Sequence, residues 1–186
     1  MYLHDLFPTA DIVTFHYRGY APSGGRPSTA THIADAPYVH GFIRDRLGGA
    51  RIVAVGFSIG SGIAASLASR RPLEGAILVT PFDSLAAVGS AHYPWLPIRL
   101  LLRHRLDAAA DLRKVRAPIA IIAAGRDNLI PAARTDALRR EVPNLVFDRT
   151  IANGGHNDIY QNPIFHDAMR EALERVLASA GRGAMR

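Results

Sequence analysis

Apolar residues along this 186-residue chain recur in short runs rich in Val and Ile, separated by longer stretches where they fall at three- and four-residue spacing. A short β-branched run bounded by turn formers predicts a buried strand, and the wider period predicts a helix with one apolar face. Five runs fit the first description: residues 11–17, 51–57, 75–80, 118–124 and 144–150. Residues 31–47 place Ile33, Tyr38, Phe42, Ile43 and Leu47 on a helical period that stops at Gly48-Gly49. Residues 59–70 are small and apolar, residues 132–142 are charged and amphipathic, and residues 163–178 bring together Ile164, Phe165, Ala168, Ala172, Leu173 and Val176.

Strands alternating with helices predict an α/β fold, a mostly parallel sheet with helices on both faces. Right-handed crossovers then put all the strand carboxyl ends along one edge, where loops can assemble a site. Residues 83–115 break the rhythm, being too long for one crossover helix. They contain Tyr93-Pro94-Trp95-Leu96-Pro97 and the apolar run 98–102, the composition of a helical, lid-like insertion near the strand ends. The expected organisation is one domain over residues 1–180, with 181–186 as a frayed tail.

Composition narrows the function classes. No apolar run approaches the roughly 20 residues a membrane span needs, and the first eight residues lack the basic-then-apolar layout of a signal peptide. The chain has no cysteine, which removes disulfides, thiolate metal sites and a cysteine nucleophile and fits a cytoplasmic location. The formal charge is +6 and is carried by arginine, Lys114 being the only lysine. No basic stripe interleaves with aromatics, so nucleic acid is not an expected partner. Residues 98–102, with Arg99, Arg103 and Arg105, could lie on an anionic lipid surface. A lid helix with snorkelling arginines is the preferred expectation.

Gly56-Phe57-Ser58-Ile59-Gly60 fits G-x-S-x-G, and it sits between a predicted strand and a predicted helix of small residues, the context that pattern requires. A sharp turn there demands small neighbours, which Gly56 and Gly60 supply, while Gly62, Ala64 and Ala65 would let the helix pack close. Ser58 becomes the candidate nucleophile, and the amide of Ile59, at the helix start, points where an oxyanion would form. A serine nucleophile needs a base and the base an orienting acid. His156, in Asn153-Gly154-Gly155-His156-Asn157-Asp158 after the last strand, can reach across a sheet edge; His166 falls inside the last predicted helix. Asp127, in Gly125-Arg126-Asp127-Asn128 after the 118–124 strand, is the candidate acid, with Asp83 its rival. Either aspartate could instead be a turn or capping residue. The histidines do not cluster at metal-ligand spacing, so no metal or cofactor is expected.

His16-Tyr17-Arg18-Gly19-Tyr20, with Ser23-Gly24-Gly25 and Pro27-Ser28, resembles a stretch found in one branch of the α/β-hydrolase family. That branch holds serine-aminopeptidase-like hydrolases and α/β-hydrolase-domain proteins related to depalmitoylases. Pro81-Phe82-Asp83-Ser84-Leu85, Gly125-Arg126-Asp127 and Gly155-His156-Asn157-Asp158 are similar to it too, so the likeness runs from about Phe7 to Leu177. Position 16 is His where the branch has Asp, and position 21 is Ala where it has Gly. The resemblance implies Ser58 as nucleophile, Asp127 as acid, His156 as base, the Ile59 N–H as oxyanion donor, and an ester, thioester or amide as the acyl substrate.

It also implies a strand and a His-Gly-Asn-type loop upstream, giving a second oxyanion N–H, for which the ten residues before Asp11 leave no room. The expected fold is therefore an α/β-hydrolase fold lacking its N-terminal strands. Family topology places the absent strand between the 11–17 and 51–57 strands. A fragment, a late start codon, a partner that donates the strand, or direct pairing of those two strands in a non-catalytic binding domain would each account for it.

Overall fold

The computed structural model describes residues 3–102 and 106–183. Its centre is a sheet of four parallel strands in the order β1-β2-β3-β4: β1 (Val53–Phe57), β2 (Gly75–Val79), β3 (Ile119–Ala124) and β4 (Leu145–Ile151). Each lies within a residue or two of an expected run. The register is uniform at the carboxyl ends, with Phe57 opposite Val79, Val79 opposite Ile122, and Ala124 opposite Ile151. The chain segments leaving all four strands therefore start from one edge.

Side chains of successive strand residues point to opposite faces, and the two faces have separate cores. Ile77, Val79, Ala120 and Ile122 pack against Phe165, Ala168, Met169, Ala172 and Val176 of one long helix. On the other face Ala76, Leu78, Ile119 and Ile121 pack against Ala64, Ala65 and Leu138 from two crossover helices. β2 is buried at all five positions, as a strand covered on both faces must be.

Eight helices lie among the described residues. They are α1 (Leu3–Leu6), α2 (Thr29–Arg46), α3 (Ile59–Arg70), α4 (Leu85–His92), α5 (Ile98–Leu101), α6 (Ala108–Leu112), α7 (Ala132–Glu141) and α8 (Pro163–Gly183), with a 3-10 turn at Ile159–Gln161. α2 starts at a capping box, in which Ser28 Oγ accepts from the Thr31 amide and Thr31 Oγ1 from the Ser28 amide. Within the stretch that carries the resemblance, Arg18 pairs with Asp35 on α2. Gly19, at φ +86°, passes so close to Pro27 that a Cβ would lie 2.4 Å from its Cδ.

Three expectations are corrected. Residues 11–17 form no strand and pair with none: residues 11–16 are exposed, Tyr17 is half-buried, and Val13, Phe15 and Tyr17 face Val53 and Val55 of β1 across a cavity of about 140 Å³. β-Branched residues fit an extended backbone, but a strand also needs a neighbour within hydrogen-bonding distance, and here a gap intervenes. Direct pairing of the two segments is thus not what the structure shows. The frayed tail is the second. α8 continues to Gly183, so residues 181–183 are helical, and residues 184–186 lie outside the described residues. Third, the 83–115 segment is not all lid. Ala108, Ala109 and Leu112 of α6 are buried in the sheet-face core beside α3, whereas residues 91–97 and Leu100 and Leu101 of α5 are exposed.

Leu78 sits at full burial in the middle of that second core. Leu78→Ala is expected to lower unfolding stability by about 2–5 kcal/mol, read from the urea midpoint at unchanged slope.

Candidate active site

The turn between β1 and α3 is held in a conformation few residues accept. Ser58 has φ +51°, left-handed backbone for a residue with a Cβ. The strands flanking the turn hold it there. The Ser58 amide donates to the Val79 carbonyl at the end of β2 (2.9 Å), and the Ser58 carbonyl accepts from the amide (2.9 Å) and hydroxyl (2.6 Å) of Ser61. Gly56 is obligatory for close approach, because a Cβ on it would lie 2.3 Å from the Gly60 carbonyl oxygen. Gly60 itself has room, since its added Cβ would meet only the Tyr17 hydroxyl at 3.5 Å. Gly62 admits Leu106 rather than the sheet, its Cβ position being 2.6 Å from Leu106 Cδ2.

Ser58 occupies the N-cap of α3, where a serine ordinarily turns its oxygen onto the first free amides of the helix. It makes no such bond. Its Oγ lies instead 2.8 Å from His156 Nε2, and His156 Nδ1 lies 2.7 Å from Asp127 Oδ2. A carboxylate only accepts, so Nδ1 carries the proton and donates, leaving Nε2 to accept from the serine hydroxyl. His156 and the Asp127 side chain are both buried.

Two loops bring these groups together. β3 leads into Gly125-Arg126-Asp127, and β4 into residues 152–158. The Gly125 amide donates to the Ile151 carbonyl and the Arg126 amide to the Gly154 carbonyl, each at 2.9 Å. A Cβ on Gly125 would lie 2.6 Å from the Ala152 carbonyl oxygen, so the loops can touch only through glycine. The histidine loop is closed by the Gly155 amide, which donates to Asp158 Oδ1 at 2.6 Å.

Asp127 divides its carboxylate. Oδ1 accepts from the amides of Leu129 (2.9 Å) and Ile130 (2.7 Å), while Oδ2 serves His156. The turn contacts and the contact to His156, alternatives on the sequence, coexist on one side chain. Its rival Asp83 is committed elsewhere, with Oδ2 3.1 Å from Arg134 Nη1 and Oδ1 accepting from the Ser84 amide. His166 is on α8, its Nε2 donating to the Tyr160 carbonyl at 2.9 Å.

Ile59 opens α3, so its amide has no partner within the helix. Its side chain is exposed, and with Phe15, His16, Tyr17, Tyr20 and His32 it lines a cavity of about 240 Å³ beside the turn. Burial raises the Tyr17 phenol above its ordinary pKa. Burial likewise raises that of Tyr160, with the negative charge of Asp127 adding to it. Among the described residues no three His, Asp or Glu side chains converge in a way that could hold a metal ion.

Two features had no single-residue signal. Thr80, directly after β2, is buried at φ +46° with its hydroxyl on the Val79 carbonyl, the same oxygen that receives the Ser58 amide. Strained turns thus end both β1 and β2. For the amides of Leu129 and Ile130 the sequence offered only the general turn reading of Asp127, an aspartate followed within four residues by proline, and did not identify the two donors.

Residues 3–107 match a family model described as the alpha/beta hydrolase fold. An uncharacterized protein of Mycobacterium tuberculosis (Rv2307c) is 35% identical over 166 residues, covering 87% of this chain and 59% of the relative. The lysophosphatidylserine lipase ABHD12 of Danio rerio is 26% identical over 190 residues, covering 87% of this chain and 50% of the relative. The chain thus spans between half and three fifths of the length of these relatives. Among solved structures, the Pyrococcus furiosus esterase Pf2001 superposes with a TM-score of 0.65 at 20% identity, covering 86% of this chain and 68% of the esterase.

The steric asymmetry at the turn is open to measurement. Gly56→Ala should cost about 3 kcal/mol or prevent folding. Gly60→Ala should stay within about 1 kcal/mol of the parent. Paired urea unfolding curves check both.

Proposed function

The chain belongs to the α/β-hydrolase family, and from that premise we propose that it is a serine hydrolase that cleaves an acyl bond through an acyl-enzyme on Ser58. The observation that carries this reading is the continuous hydrogen-bonded chain from Asp127 through His156 to a serine that leaves its own helix uncapped. Ser58 Oγ attacks the acyl carbonyl while His156 Nε2 takes its proton. The resulting imidazolium faces Asp127 Oδ2, fixed by the two amides on Oδ1. The same proton passes to the leaving group, and a water activated at Nε2 then releases the acid. The Ile59 amide is the donor assigned to the developing oxyanion. No cofactor enters the scheme.

For the substrate we favour an ester, and among esters those of fatty acids, because the relatives include proteins named as an esterase and as lysophosphatidylserine lipases. A second reading, a binding domain of the same fold without turnover, is supported by one observation. Among the described residues β1 pairs with β2 alone, and its other edge faces the cavity toward residues 11–17.

A fluorophosphonate probe separates the two. The expected result is a single adduct on Ser58, absent in Ser58→Ala; a folded chain that stays unlabelled favours the binding domain. Asp127→Asn carries a further expectation. An amide can keep one oxygen on the Leu129 and Ile130 amides, but it presents N–H to His156 and imposes the wrong ring tautomer. Turnover of p-nitrophenyl esters should fall by about 10⁴-fold with little change in melting temperature.

A further inference from the structure

Among the described residues, a run of strongly exposed apolar side chains lies near the site. Trp95 is 73% exposed, Leu100 84% and Leu101 60%, and Tyr93 and Leu96 are exposed with them. A lid helix closing over the serine would turn its leucines inward. α5 instead packs through Ile98, against Gly89, and leaves Leu100 and Leu101 in water. The segment is joined to the catalytic loops, because His92 Nε2, at the end of α4, donates to the Leu129 carbonyl at 2.7 Å. Leu129, itself exposed, is two residues from Asp127 and extends the apolar band toward it.

The charge of the segment indicates what covers it. Between Asp83 and Asp107 the sequence holds no acidic residue, and it holds Arg99, Arg103 and Arg105, in a chain of net charge +6. Exposed apolar patches of this kind mark protein or membrane contacts. An indole and a phenol among leucines, in a stretch of sequence whose only charged residues are basic, match the headgroup region of an anionic bilayer. We propose that residues 93–102 dock onto the surface of an anionic phospholipid bilayer, with Trp95, Leu100 and Leu101 entering the headgroup region. That contact sets the strand-end edge, where Ser58 lies, against the membrane. The inference rests on the hydrolase reading only for its purpose, which is to bring acyl esters from the bilayer to Ser58.

Trp95 is the only tryptophan, so intrinsic emission reports on this segment without a label. The chain is titrated with vesicles of phosphatidylcholine, with and without phosphatidylserine. The expected result is a blue shift with phosphatidylserine vesicles, and binding at least tenfold weaker to phosphatidylcholine alone or in high salt. The double variant Leu100→Ser, Leu101→Ser should bind at least tenfold more weakly, yet still label with the fluorophosphonate in vesicle-free buffer. That labelling scores the hydrolase reading separately from the docking. No shift, equal binding to neutral vesicles, or parent-like binding by the variant overturns the proposal. So does a blue shift that grows with protein concentration without vesicles, which would mean that a second copy covers the patch.

Discussion

The site depends on the left-handed backbone at Ser58. A residue with a Cβ held there costs about 1–3 kcal/mol, and the surroundings offset the cost with bonds to both neighbours of the turn. Val79 takes the Ser58 amide, Ser61 grips its carbonyl twice, and Gly56 gives up its side chain so that α3 can start immediately. The consequence is chemical. In the ordinary extended conformation of an N-cap, Ser58 would bond to its own helix. Turned as it is, the hydroxyl leaves the helix and meets His156, and the first amide of α3 stays free beside it.

The other half of the site follows from strand register. β3 and β4 end level with each other, so their loops leave side by side, and Gly125 lets them touch at the Ala152 carbonyl. Asp127 can orient His156 because its second oxygen is already pinned by two backbone amides. The histidine ring, buried and fixed at both nitrogens, has one tautomer and one direction. Three side chains far apart in sequence are thus placed by three strand ends.

Much of this was legible in the chain. The inner strands β2 and β3 show as continuous apolar runs because both their faces are covered, whereas the edge strand β4 mixes Asp148, Arg149 and Thr150 into its run; Ser58, Asp127 and His156 all stand just past predicted strand ends. The three do meet in one chain of hydrogen bonds. Residues 11–17 carry the same apolar signal without forming a strand, since periodicity reports on side chains and pairing depends on a neighbour. α6 gives no core signal in the sequence because Ala108 and Ala109 are too small to announce a buried face, and their burial is set by α3 across the contact. Thr80 gave no warning at all, its left-handed turn being imposed by the bonds at the end of β2. The sequence leaves Asp127 as either turn or acid, and the two oxygens of one carboxylate allow both.

The chemistry proposed for Ser58 depends on the direction of the His156 ring, and nitrogen-15 NMR of the histidine side chains reads it directly. At neutral pH, His156 is expected to show a proton on Nδ1, in a strong hydrogen bond that disappears in Asp127→Ala, and an unprotonated Nε2. An Nε2-protonated ring, or a His156 signal indifferent to the loss of the Asp127 carboxylate, would contradict the arrangement from which the function is drawn.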